Sequence, residues 1–290
     1  MLAIFKREFK SYFTGVMGYL LVAFMILVNA IYYVALNLSY GYPDFGYYTL
    51  YRTMFVFLIF VPVLTMRSLA EERHNRTDQL LLTSPVTIPG VILGKFFAML
   101  AVYAIPCIAY AFMILTLAAF GASAGAVAVS YACLLCYFFL GAAAIAIGEW
   151  ISSLTESQIV AAVLCFAVLL ASYLMPSIST LFSIGSALSL IVFLAVLALA
   201  ALTAGLRAKS LPAGCGVFCV GCAGLILVYR LKGTWLSSGF TWLLDKMGIF
   251  TPYEDFINQT FSLTALAYYV VVTVLFLFFA CQTLEKRRWN

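Results

Sequence analysis

Long stretches of this chain carry almost no charge: 16–36, 53–66, 91–120, 127–147, 158–175, 184–206, 213–229 and 263–283. About 20 apolar residues, each rising 1.5 Å along a helix, cross the hydrocarbon core of a bilayer. Lipid offers no partner to backbone N–H and C=O groups, and a helix satisfies them within itself. Charged residues make up 9% of the 290, against roughly a quarter in globular chains, which excludes an ordinary soluble domain. The sparse, regularly placed charges do not follow the alternating pattern of a membrane barrel. The expected fold is an all-α polytopic membrane protein, one domain over 1–290 with about eight transmembrane helices.

Around these runs lie three segments of different character. Residues 1–14 put Leu2, Phe5, Phe9 and Phe13 on one helical face, with Lys6, Arg7 and Lys10 opposite. That pattern predicts a helix lying in the membrane interface with its basic side toward anionic lipid. Glu8, the long apolar run that follows and the lack of a small-x-small cleavage site argue against a signal peptide. Between the first two runs, "NLSYGYPDFGYYTLYR" is tyrosine-rich, as a membrane surface favours. Residues 233–262 hold Trp235, Trp242, Asp245, Lys246, Glu254 and Asp255, too polar to cross and suited to the outer interface. Pro62 and Pro106 are expected to kink the second and third spans. In "EWISSLTESQIV", Thr155 and Gln158 have capping-box spacing for the start of the fifth span, and Pro176 is its expected end.

Charge position sets the orientation. With eight spans and both termini in the cytoplasm, the inside holds Lys6, Arg7, Lys10, Arg67, Arg73, Arg76, Lys95, Arg207, Lys209, Lys286, Arg287 and Arg288. Only Arg52, Arg230, Lys232 and Lys246 fall outside, in the direction the positive-inside rule requires. A six-span alternative, with 184–229 as one re-entrant hairpin, keeps the termini inside but moves Arg207 and Lys209. No basic run with interleaved aromatics marks a nucleic-acid partner. The eight cysteines all lie in apolar segments, where free Cys acts as a small hydrophobe. Cys215, Cys219 and Cys222 have a spacing that can ligate an iron–sulfur cluster, but in "GCGVFCVGCAG" they sit among small residues suited to helix packing.

"MRSLAEERHNRTDQLLLTSPV", residues 66–86, gathers charge into a strap between the second and third runs. Glu71 and Glu72 suit a first helical turn, Leu80, Leu81 and Leu82 give an apolar side, and Ser84-Pro85 stops the helix. A short amphipathic helix held between two spans is a docking element. "TMRSLAEERHNRTDQLLLTSPV" with "ILGKF", the later "GEWISSLTESQIVAAVL", the terminal "LEKRRW" and the opening "FKREFKSYFTGVMGYL" together resemble ABC-2-type transporter permeases, especially the gliding-motility-type subfamily.

In that family the loop here spanning 67–90 carries a coupling helix, seated on a separate ATP-binding subunit and transmitting its closure to the spans. Arg67, Glu71, Glu72, Arg73, Thr77 and Leu80, Leu81 and Leu82 match the motif, with Pro85 ending it. Arg76 stands where the family has Gly and Gln79 where it has Glu, so the contacts there differ in charge. The resemblance implies six family spans plus an inserted pair near 184–229. It also implies two ATPase copies, a second permease copy or a homologue, and a place in the bacterial cytoplasmic membrane. It leaves room for an extracytoplasmic accessory subunit.

The chain itself binds no cofactor on this reading; ATP and magnesium sit on the partner ATPase. "PGVILGKFF" is no phosphate loop, having Pro89 for the first glycine and Phe96 for Ser or Thr. By the same resemblance the first, second and fifth spans line a path between two half-transporters. Asn29 is a candidate path or interface residue, and a helix–helix hydrogen bond explains it equally well.

Two other functions compete. An ion-coupled secondary transporter needs acids deep in its spans, whereas Asp44, Glu149, Glu156 and Asp245 are expected near boundaries. An intramembrane lipid-modifying enzyme needs a nucleophile–base or metal set, and the lone His74 on the strap lacks one.

Overall fold

A computed structural model of the protein describes residues 1–75, 87–182, 246 and 248–288, and every regular element among them is helical. They are α1 (Leu2–Thr14), α2 (Val16–Tyr32, prolonged by a wider π-helical turn at Tyr33–Ser39), α3 (Phe57–Thr65), α4 (Ala70–His74), α5 (Ile88–Ala119), α6 (Ala124–Leu154), α7 (Gln158–Phe182), α8 (Tyr253–Ile257) and α9 (Leu263–Arg288). Among the described residues, six segments are long and apolar enough to cross a membrane: Val16–Ser39, Met54–His74, Ile88–Ala119, Ala124–Leu154, Gln158–Ile178 and Leu263–Lys286. The expected pair at 184–229, with its three cysteines, lies outside the described residues, as do 76–86 of the strap. Contacts divide the chain into two compact units, one of Met1–Ala171 with Pro252–Asn290, the other Ser172–Thr251.

In the first unit α6 is the central helix, packed against α3, α5, α8 and α9. Its "GAAAIAIG" stretch is wholly buried, and small side chains there let neighbours approach closely. A Cβ on Gly141 would overlap the Tyr103 ring, and one on Gly148 would fall 2.5 Å from Thr65 Oγ1. Trp150 extends the helix's other face onto Phe276 and Phe279 of α9, at centroid distances of 5.3 and 6.0 Å. In the second unit, Ser172 Oγ accepts from the Ile249 amide at 2.8 Å, and Tyr173 meets Phe250 edge to face at 5.4 Å.

The tyrosine-rich link after α2 is itself largely wound into helical turns, at Gly46–Tyr51 and Met54–Val56. Its rings stack on one another: Tyr42 on Tyr48 at 4.1 Å, and Tyr51 on Tyr253 at 6.5 Å. The Arg52 guanidinium lies over Tyr47 and Tyr48 at 5.7 and 5.9 Å, which suits a cation against a negative ring face.

Three local expectations are revised. α6 does not end at 147 but runs on to Leu154, because "GEWISSL" is mostly apolar and helix-compatible. The capping box at Thr155 does not form. Thr155 is instead the extended C-cap of α6, its hydroxyl without a hydrogen-bond partner among the described residues, and the Ser157 carbonyl accepts the first bond of α7 from Ala161. α7 also continues past Pro176 to Phe182.

Candidate functional site: a charged clamp at the strap end of the bundle

α4 is a five-residue helix whose first turn carries Glu71 and Glu72 and whose last turn carries Arg73 and His74. Such a short helix is unstable alone, since nucleation fixes several residues for few hydrogen bonds. Here α6 stabilises it at both ends. Ser152 Oγ accepts from the Leu69 and Ala70 amides at 3.2 and 3.1 Å, satisfying donors that a helix start leaves unpaired. Arg73, 8% exposed, donates from Nη1 to the Thr155 carbonyl at 3.1 Å, at the electronegative C-terminal end of α6. The start of the strap is thereby fastened to the end of the central helix.

On its other side α4 meets α1 and α5. Lys95 enters α5 from an apolar run, and its side chain is 2% exposed. Its ammonium pairs with Glu8 at 3.1 Å and Glu72 at 2.9 Å, and donates to the Ser68 carbonyl at 2.9 Å. These three acceptors match the three donors of an ammonium, so none is buried without a partner. Arg7 bridges Glu8 at 2.6 Å and Glu72 at 3.0 Å. Arg67 pairs with Glu71 one turn on at 2.9 Å, an exposed contact of little weight. Tyr12 of α1 donates to the Leu64 carbonyl at 2.9 Å.

Burial pushes the Glu8 carboxyl up, but Lys95 and Arg7 beside it outweigh that and hold it below its ordinary value. Together with Ser11 and Asn75, these groups line a cleft of about 370 Å³. Its three cations (Arg7, Arg67, Lys95) face three carboxylates (Glu8, Glu71, Glu72), so the cleft is nearly neutral and rich in exchangeable ion pairs.

Four stretches far apart in the chain thus meet at one place: "FKREFK", "MRSLAEER", "ILGKF" and "ISSLT". Of the strap residues singled out from sequence, Arg67, Glu71, Glu72 and Arg73 lie at this site. Arg76, Thr77, Leu80, Leu81, Leu82 and Pro85 fall outside the described residues. His74 and Asn75 are exposed at the end of α4. Arg7, expected on the lipid-facing side of its helix, also pairs with Glu72. Glu8, Lys95 and Ser152 were missed by sequence reasoning. The available signal was a lone acid on a basic helix and a lone lysine in an apolar run.

Asn29 is fully buried, away from the cleft. Its amide donates to Tyr110 Oη at 2.8 Å and to the Met25 carbonyl at 3.1 Å, and its oxygen accepts from Thr53 Oγ1 at 2.7 Å. It is a joint between three spans within one chain.

Glu149 also departs from expectation. Because α6 continues through it, it lies inside the bundle with no exposure, and neither carboxyl oxygen has a hydrogen-bond partner among the described residues. It lies five residues before the end of its span at Leu154, near a boundary as expected, but its complete burial was not expected.

Six helices among the described residues, long and apolar enough to cross a bilayer, make this a multi-pass membrane protein. The family model described as "ABC-2 family transporter protein" matches residues 26–207, well over half the chain, and the chain belongs to that family. It is a permease of the ABC-2 type. No curated protein and no solved structure matches it.

Proposed function

We propose that this chain is the membrane-spanning subunit of an ATP-driven exporter of the gliding-motility-type subfamily, worked by a separate ATP-binding subunit that carries the ATP and magnesium. Two ATPase copies and two permease copies assemble in the bacterial cytoplasmic membrane, with both termini and the strap inside the cell. The observation that supports this best is the double fastening of α4 to α6 by Ser152 and Arg73. A push on the exposed tip at His74 and Asn75 passes into the central helix at one end and, through Glu72 and Lys95, into α1 and α5. Membership of the ABC-2 family weighs against ion coupling and against an intramembrane enzyme.

The test is co-expression with an ABC-type ATP-binding subunit from the same genome. The two are expected to co-purify, the chain alone hydrolyses no ATP, and Ser152→Ala with Arg73→Ala retains the complex while lowering ATPase stimulation at least tenfold. Failure of the pair to associate, or full stimulation in the double variant, refutes the assignment.

A further inference from the structure

Glu149 of α6 is a buried acid that the ion pairs of the clamp leave out. Lys95 spends its donors on Glu8, Glu72 and the Ser68 carbonyl. Glu149 sits about one turn before Ser152, whose hydroxyl holds the Leu69 and Ala70 amides, and Lys95 donates to the carbonyl of Ser68 beside them, so both residues stand against the same turn. Tyr12 of α1 and Cys281 of α9 also stand near Glu149, while the contact from α3, at neighbouring Gly148, is the uncharged Thr65. A carboxylate buried among apolar side chains without a hydrogen bond costs several kcal/mol more than the neutral acid, and such groups take up a proton instead. An ionisable residue at this depth in a bundle is a functional candidate by default.

We propose that Glu149 is a proton-binding site, neutral while Glu8 and Glu72 hold Lys95 and ionised when they release it. The two states balance. In the first, the lysine charge is met by the clamp carboxylates and the Glu149 O–H keeps its proton. In the second, the clamp has opened and the uncompensated ammonium is met by Glu149, whose proton leaves to water through the cleft. Opening the clamp therefore expels one proton and turns Lys95 from the strap toward α6. This inference does not depend on the identity of the subunit that moves the strap.

The test uses the full chain alone in lipid nanodiscs and reads the infrared carbonyl stretch of protonated carboxyls at neutral pH. The wild type is expected to show a deuterium-sensitive band that disappears in Glu149→Gln. Glu8→Gln with Glu72→Gln, which frees Lys95, is expected to lose the same band, and adding Lys95→Met restores it. Absence of a Glu149-dependent band, or its survival in the Glu8/Glu72 double variant, overturns the proposal. If that double variant does not fold, Lys95→Met alone decides: the pH at which the band vanishes must rise by at least one unit. An unchanged midpoint overturns the coupling.

Discussion

Lys95 is the residue on which the strap end of this protein turns. A lysine 2% exposed needs partners for all its donors, and two carboxylates and a carbonyl supply them. Glu8 supplies one of those carboxylates, and its depressed acidity gives the contact a pH signature. A group whose folded value lies below its unfolded value stabilises the protein above the unfolded value, and that stability fades as pH falls through the folded one. For Glu8 the unfolded value is near 4.5, so the clamp is at full strength at neutrality and weakens only below that. Glu8→Gln is accordingly expected to lower stability at pH 7 by roughly 1.5–3 kcal/mol, the range for a hydrogen bond to a charged group. The gap to wild type then closes as pH drops below 4.5, as thermal unfolding in detergent measures. A gap that stays constant down to the lowest pH at which the protein remains folded would show that Glu8 carries no charge-dependent role. None of this was legible from residues 1–14, where Glu8 merely interrupts a basic face. The partner that gives it meaning lies 87 residues away.

Among the elements, α6 carries the fold because its middle has so little side chain. Placing Ala at a helical Gly normally gains about 1 kcal/mol from propensity. At Gly141 the new methyl would meet the Tyr103 ring, and that ring has no room to retreat. Its hydroxyl is bonded to the Tyr137 carbonyl at 2.8 Å, and Phe57, Phe60 and Phe138 surround it. Overpacking of this kind costs about 1–3 kcal/mol, more than the propensity gain. Gly141→Ala should therefore lower the unfolding midpoint, while Gly125→Ala in the first turn of the same helix, with open space around it, should not. Equal behaviour of the two would mean that close packing at Gly141 is not what seats α5 against α6.

The same helix marks how far sequence reading reaches. The six crossing helices among the described residues were legible because their signal is a long local run of apolar residues, and the first turn of the strap because paired glutamates favour one, while the rest of the expected strap helix lies outside the described residues. The extension of α6 through Glu149 was not. A single acid looks like a boundary when only local polarity is weighed, but the helix runs on past it through Trp150 and Ile151 to Leu154. The capping box at Thr155 failed for a related reason, since the spacing was present but α6 had already claimed that residue as its end.

At the scale of the whole molecule, the proposed mechanism requires the strap to lie on the side of the membrane where ATP is. The distribution of Lys and Arg favours the cytoplasm, twelve of 16 falling on the strap side in the eight-span arrangement. That arrangement and the six-span alternative both put the strap inside, so strap exposure tests the mechanism without first requiring the span count. Asn75 is the site to probe, being exposed at the end of α4 and outside every ion pair of the clamp. A cysteine replacing Asn75 is expected to resist a membrane-impermeant maleimide in intact cells and to react fully once the membrane is opened. The five cysteines among the described residues are free and all but Cys281 are buried, so the variant is read against the unsubstituted chain as background. Labelling in intact cells equal to that in opened ones would put α4 on the outer face. No cytoplasmic ATPase could then push it, and the charges of Glu72 and Lys95 would need another explanation.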